Sequence, residues 1–381
     1  MGEAAPARAL PGTAADPGTA RLLPIDFLRG IAAIGVVLFH FPYFIGYHVL
    51  LDVLLPVYRN GLIFVDLFFV ISGVVLAYTY RARVKRPGDL GEYLVRRIAR
   101  LWPLHVLTLV VVTGIYGLMQ LRLGYFGFSK ENNDAWHFFL NATLLNQVGL
   151  QAGYSYNLPS WSISTEFWIN AAFGVLLLAL RGRVLVVSLA IAALAAVLVV
   201  TRQEAWWGAT RYGGWLEPAL VRTACGFFLG VACSRLLGDA PGPRRFGDAG
   251  MAVATLAVLL LLARMPARPS GIPLDGLLVV FAFPALVTCA IASRGFWKLS
   301  ATRFATWLGD ISYSVYLWHL PLAAAFTLAG LARPESHHGL IFVAYFALLL
   351  LVATASYHGF EKPARRRIAA FAKRPATAAP T

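Results

Sequence analysis

Residues 61–80 read GLIFVDLFFVISGVVLAYTY, a run in which Asp66 is the only charged side chain. At a rise of about 1.5 Å per residue, an α-helix of this length spans about 30 Å, the thickness of the hydrocarbon core of a bilayer. Similar apolar runs recur along the whole chain of 381 residues. The sequence therefore predicts a protein embedded in a lipid bilayer.

The composition excludes the main alternatives to a membrane protein. Apolar residues make up 59% of the chain and charged residues 13%, against about 45–50% and about 25% in soluble domains. These values argue against a soluble globule, a coiled coil and a disordered chain. The three cysteines, Cys225, Cys233 and Cys289, lie inside apolar runs without the spacing of metal ligands. They indicate core packing rather than disulfides or a metal site.

Hydropathy along the chain predicts an all-α fold, a polytopic membrane helix bundle of about ten transmembrane helices. The longest connection on the non-cytoplasmic side, residues 122–161, mixes polar and aromatic residues and is expected to lie back on the membrane, over a site. The predicted helices are residues 22–44, 61–80, 101–121, 162–180, 184–200, 218–236, 250–264, 274–293, 305–328 and 339–360.

The basic residues predict the orientation of the bundle. Lys and Arg concentrate in alternate connections, above all in residues 81–100 and 362–374. Because basic loops stay on the cytoplasmic side, both termini are expected to be cytoplasmic. The net charge of +15 is thus explained by orientation, with no nucleic acid partner. We expect a disordered cytoplasmic tail at 1–21, a transmembrane domain at 22–360 and a basic cytoplasmic tail at 361–381, with no cleavable signal sequence.

Charged and polar side chains inside the first two predicted spans are candidates for function, because a charge at membrane depth costs several kcal/mol. Arg29 and His40 lie about three helical turns apart and so share one face. Asp66 in the second span is expected beside His40, where its carboxylate would orient the imidazole as a general base. The alternatives are that Arg29 pairs with Asp26, that His40 is a core histidine, and that Asp66 belongs to an ion pair holding two helices together.

Three further polar patterns stand at the ends or on one face of predicted helices. Arg97 and Arg100, three residues apart before Trp102-Pro103, suit bidentate contacts to phosphates, or are ordinary flanking charges. Ser162 and Glu166 share a face at the start of the fourth span, which is also a common way to begin a helix. In the ninth span, a stripe of polar and aromatic side chains binds substrate or joins helices by hydrogen bonds. Ser312, Tyr316 and His319 share this face, and Tyr313 follows Ser312 in the same segment.

Together these segments resemble the membrane-bound acyltransferase-3 family, over roughly residues 24–366. Five motifs in order carry the resemblance: Arg29 and His40 with ten residues between them, Val65-Asp66-Leu67-Phe68-Phe69-Val70-Ile71-Ser72-Gly73, Arg97 and Arg100, Trp161-Ser162-Ile163-Ser164-Thr165-Glu166, and Tyr313-Ser314-Val315-Tyr316-Leu317-Trp318-His319. The resemblance implies an integral membrane O-acyltransferase that takes an acyl group from cytoplasmic acyl-CoA, expected to be acetyl-CoA. The acceptor is expected to be a hydroxyl of a glycan, a glycolipid or a small molecule in or across the membrane.

The resemblance and the residues together give each side chain an expected role. His40, oriented by Asp66, acts as general base or carries the acyl group itself, while Arg29 lines the donor path. Arg97 and Arg100 bind the phosphates of CoA, and Glu166 positions the acceptor from the outer side, with substrate contacts from Ser162, Tyr313, Tyr316 and His319. No permanently bound cofactor and no metal are expected. The expected location is a bacterial plasma membrane, and the alternative function is a proton-coupled transporter or flippase.

Overall fold

A computed structural model of the protein describes residues 21–45, 51–127, 132–201, 211–212, 216–238, 241–265, 274–332 and 338–371. Within these ranges the regular elements are all helices. The predicted N-terminal tail, apart from Arg21, and residues 372–381 of the predicted C-terminal tail lie outside the described residues. The α-helices are α1 (Leu23–Phe44), α2 (Leu51–Asn60), α3 (Phe64–Tyr80), α4 (Pro87–Leu123), α5 (Ala135–Ala142), α6 (Trp161–Leu180), α7 (Val184–Thr201), α8 (Pro218–Leu237), α9 (Gly247–Arg264), α10 (Leu274–Leu277), α11 (Phe283–Ala292), α12 (Arg294–Ser300), α13 (Arg303–Leu328), α14 (His338–Ser356) and α15 (Lys362–Phe371).

The helices confirm the prediction of a polytopic membrane helix bundle. Among the described residues, eight stretches are long and apolar enough to cross a membrane. One of them, Leu158–Thr201, contains two of the predicted spans, which a short turn at Arg181–Arg183 divides into α6 and α7. Each of the ten predicted spans lies in helical structure, and the ninth is the more polar helix α13. The predicted start of the third span at 101 is wrong, because α4 already begins at Pro87. The cytoplasmic position of both termini stays a prediction.

Large apolar side chains on the outside of the bundle form the surface that faces lipid. Exposed leucines, valines and phenylalanines recur on α7, α9, the α10–α11 segment and α14, where a soluble protein would place polar groups. Inside the bundle, Cys225 and Cys233 are buried free thiols, as core packing predicts. The outer helices thus bury one side against the bundle and present the other to hydrocarbon.

Close approach between α3 and α8 depends on glycine. A Cβ atom built on Gly73 would lie 1.9 Å from the carbonyl oxygen of Phe227, and one built on Gly230 would lie 2.0 Å from that of Val70. Only residues without a side chain let two backbones approach this closely, as in many membrane helix pairs. The contact fixes α8 against α3, while α1 packs along α13 and also contacts α3.

The long connection between α4 and α6 folds into the bundle rather than lying over it. Asn141 and Asn157 are fully buried. The Nδ2 of Asn157 donates to the carbonyl oxygen of Leu317 on α13 at 3.1 Å, and His105 Nε2 lies 2.8 Å from the carbonyl oxygen of Asn141. Helix α6 therefore begins inside the protein, which places its first turn against α13.

Helical structure continues past residue 360, where the sequence places the end of the transmembrane domain. A π-helical turn at Tyr357–Glu361 leads directly from α14 into α15. Such wider turns rotate the following side chains relative to an α-helix. The Glu361 side chain consequently points into the bundle and is only 3% exposed.

Candidate active site

One cavity brings together most of the predicted site residues. Its walls come from α1, α3, α4, α6 and α13, and its volume is about 70 Å³. The predicted residues that line it are Arg29, Arg97, Arg100, Ser162, Glu166, Tyr313 and Tyr316. The other three, His40, Asp66 and His319, are buried outside its lining. Arg97 and Arg100 both line this cavity, as expected for residues three apart on one helix face.

Arg29 and Arg97 bring positive charge to the cavity, and neither forms a salt bridge among the described residues. The Arg97 guanidinium lies over the rings of Tyr80 and Tyr93, 5.6 and 6.0 Å from their centroids. Its Nε atom is buried and has no hydrogen-bond partner among the described residues. Arg29 forms no ion pair within the same ranges. The alternative that Arg29 pairs with Asp26 is wrong, because Arg21 Nε holds the Asp26 carboxylate at 2.6 Å.

Arg100 differs from its two neighbours because it is already paired. It forms a salt bridge with Glu361, whose other carboxylate oxygen accepts a hydrogen bond of 2.7 Å from Ser314 Oγ. The guanidinium also lies 5.0 Å from the centroid of the Tyr313 ring. Glu361 was missed by the sequence analysis because it follows the last apolar window and opens a basic segment.

Glu166 lies in the same cavity as the arginines, and its Oε1 accepts a hydrogen bond of 2.9 Å from Ser72 Oγ. The sequence places this carboxylate apart from the arginines, near the outer end of its helix. That expectation is wrong, because the buried connection before α6 carries the first turn of the helix into the bundle. Glu166 is thus a cavity acid facing three cations.

Asp66 does not pair with His40, so the predicted carboxylate–imidazole pair is wrong. Its Oδ2 accepts a hydrogen bond of 2.6 Å from an Arg222 terminal nitrogen, and its Oδ1 one of 3.3 Å from Arg222 Nε. Arg222 also lies 5.4 Å from the centroid of the Trp161 ring. The alternative of a buried ion pair between two helices is the one that the structure shows. Arg222 was visible in the sequence as a charge within an apolar run, which is the signal that singled out Asp66.

His40 lies against His319 instead. The Nε2 of His319 is 3.2 Å from the Nδ1 of His40, and both rings are buried. Tyr316 connects this pair to the cavity, since its ring lies 5.9 Å from that of His319 and its hydroxyl is 2.8 Å from Ser162 Oγ. Contacts between polar and aromatic side chains therefore connect the arginine-lined cavity through Tyr316 to the two histidines, and we call these contacts the polar path.

Comparison with known proteins identifies the family. The acyltransferase-3 family model, described as an acyltransferase domain, matches residues 23–358. The chain belongs to this family. Acyltransferase-3 membership makes the chain an acyltransferase and disfavours the transporter hypothesis. No solved structure matches the chain.

Three relatives illustrate the range of proteins that this acyltransferase-3 chain is similar to. BcsY of Komagataeibacter xylinus, named as a candidate membrane-bound transacylase, is 27% identical over 87% of this chain and 80% of its own length. The peptidoglycan O-acetyltransferase OatA of Listeria monocytogenes is 24% identical over 90% of this chain, which spans 55% of the length of OatA. The acyltransferase MdmB of Streptomyces mycarofaciens is 30% identical over 41% of this chain and 39% of its own length.

Proposed function

We propose that this protein moves an acyl group from acyl-CoA to a hydroxyl of a carbohydrate-type acceptor in or across a bacterial plasma membrane. The observation that carries the proposal is the path from the arginine-lined cavity through Tyr316 to the buried histidine pair. An anionic donor needs cations at one end of such a path, and a hydroxyl acceptor needs a base at the other. The peptidoglycan O-acetyltransferase among the relatives supports a glycan acceptor.

The cavity supports an acyl-CoA donor held on the arginine side. Arg97 has a buried Nε with an unused hydrogen atom, and Arg29 has no ion-pair partner among the described residues. Guanidinium groups that form no salt bridge can bind phosphate oxygens, because each such contact is charge-assisted and directional. Acyl-CoA is a co-substrate here, not a resident cofactor.

The transfer follows from a base placed next to the thioester. His40 takes the proton of the acceptor hydroxyl as the hydroxyl oxygen attacks the thioester carbonyl carbon. The carbon–sulfur bond breaks as the new ester forms, and the proton on His40 passes to the departing thiolate. Arg29, about three helical turns before His40 on α1, lines the cavity on the donor side and holds the anionic part of the donor. Transfer through an acyl group carried on His40 is the second route that the same residue permits.

The test is transfer of radiolabelled acetyl from acetyl-CoA in membranes that contain the wild-type protein or His40→Ala. Glycan, lipid and soluble fractions are separated afterwards, which reveals the acceptor class. His358→Ala is the matched control, because His358 is exposed on the π-helical turn. We expect label with the wild type and with His358→Ala, and a loss of at least about 100-fold with His40→Ala. Full transfer by His40→Ala would overturn the proposed role of His40. Absence of label with acetyl-CoA and with longer acyl-CoA donors would overturn the donor assignment.

A further inference from the structure

The two histidines that end the polar path come from different helices, His40 from α1 and His319 from α13. Their ring centroids are 5.0 Å apart and their facing nitrogens 3.2 Å apart. Two imidazoles can share a hydrogen bond only when one nitrogen carries a hydrogen atom and the other a lone pair. The backbone groups around the pair decide which nitrogen has which role.

The tautomer of His319 follows from its contact with the main chain. Its Nδ1 lies 2.5 Å from the carbonyl oxygen of Tyr316. A carbonyl oxygen can only accept, so Nδ1 carries the hydrogen atom. In the neutral ring, Nε2 then has a lone pair, and this is the nitrogen that faces His40. Tyr345 donates a hydrogen bond of 2.7 Å to the carbonyl oxygen of His319, which ties this part of α13 to α14.

His40 is constrained in the same way from two sides. Its Nδ1 lies 3.1 Å from the carbonyl oxygen of Val36, one helical turn earlier, and 3.2 Å from the Nε2 atom of His319, which has the lone pair. Both neighbours are acceptors, so the Nδ1 of His40 carries its hydrogen atom. The lone pair of a neutral His40 is therefore on Nε2.

We propose that His319 is a positioning residue that acts together with the Val36 carbonyl: by accepting a hydrogen bond from Nδ1, it keeps the base nitrogen of His40 on Nε2. The inference rests on the proposed function, in which His40 deprotonates the acceptor hydroxyl. When Nε2 takes that proton, the Nδ1–H group still points at the His319 lone pair, which stabilises the imidazolium. In many enzymes a carboxylate has this task, and here Asp66 is bound to Arg222 instead.

Two variants separate this role from a merely structural one. His319→Gln keeps an oxygen acceptor close to the position of Nε2, whereas His319→Met fills similar space without a comparable acceptor. With His319→Met we expect kcat for acyl transfer to fall about 100-fold, because a general base in the wrong tautomer is ineffective. With His319→Gln we expect a fall of less than about tenfold. The KM for acyl-CoA should change by less than about twofold in both, because His319 lies outside the arginine-lined cavity.

A direct measurement of the tautomer needs no acyl transfer. Nitrogen-15 NMR of histidine-labelled protein in lipid distinguishes Nδ1–H from Nε2–H imidazole. The chain has eight histidines, so the His40 signal is assigned as the one that is lost in His40→Ala. We expect the Nδ1–H form of His40 in the wild type and in His319→Gln, and a mixture in His319→Met. An Nε2–H form in the wild type, or equal kcat values for the Met and Gln variants, would overturn the inference. The proposed function fails separately, through full transfer by His40→Ala.

Discussion

Arg222 on α8 holds both carboxylate oxygens of Asp66 on α3, at 2.6 and 3.3 Å, with the two side chains 5% and 0% exposed. This pair crosses the interface that Gly73 and Gly230 bring into close contact. A buried ion pair contributes little net stability compared with apolar side chains, but loss of one partner leaves an uncompensated charge. Asp66 and Arg222 therefore specify how two central helices associate.

Replacing one member of this pair should destabilise the protein. We expect Asp66→Asn or Arg222→Gln to lower the free energy of unfolding by about 3–5 kcal/mol, because one charge remains buried without a partner. The double variant should recover part of the loss. Thermal unfolding in detergent measures the effect. If Asp66→Asn alone abolished transfer at unchanged stability, while Arg222→Gln had no effect, Asp66 would act on the reaction and not through the pair.

The arginines of the cavity should differ in their effect on the donor. Arg97→Gln is expected to raise the KM for acyl-CoA about 10–100-fold, which is the range of a lost charge-assisted hydrogen bond. Arg96→Gln is the matched control, because Arg96 pairs with Glu92 at 2.6 Å on the exposed side of the same helix. Steady-state kinetics in membranes gives both values. An unchanged KM in Arg97→Gln would exclude a contact between this side chain and the donor.

Arg100 and Glu361 should behave as a structural pair. Glu361 is 3% exposed and joins the π-helical turn to α4 and α13 through Arg100 and Ser314. We expect Glu361→Gln to lower the midpoint of thermal unfolding, and Arg100→Gln combined with it to restore part of the loss. The combined variant should show a smaller rise in donor KM than Arg97→Gln. A larger rise would place Arg100 on the donor in spite of its salt bridge.

The contact between α3 and α8 should be sensitive to a single methyl group. Gly73→Ala would place a Cβ atom 1.9 Å from a carbonyl oxygen of α8, so the helices must separate. We expect a loss of about 1–3 kcal/mol in the free energy of unfolding. Gly114→Ala on α4 is the control, because nothing lies within 4 Å of a Cβ atom there. It should be neutral or stabilise α4 by about 0.5–1 kcal/mol. Equal stability of both variants would mean that the α3–α8 contact can relax without cost.

The helices and the set of embedded polar side chains follow directly from the amino-acid sequence. Backbone groups in hydrocarbon must satisfy their hydrogen bonds within one segment, so each long apolar run has to be a helix. A charge within such a run is conspicuous because it is costly, which is why Arg29, Asp66 and Glu166 could be singled out without coordinates. Spacing along one helix predicts that Arg97 and Arg100 face the same way, and both line one cavity.

Which polar side chains contact one another depends on how the helices pack. The partner of a buried charge depends on which helices pack together and at what depth, and that depends on contacts such as Gly73 against Phe227, far apart in the chain. Asp66 consequently forms a salt bridge with Arg222, and His40 contacts His319 instead of Asp66. The buried connection before α6 and the π-helical turn before α15 shift the following residues in ways that hydropathy does not encode. These shifts bring Glu166 and Glu361 among the arginines.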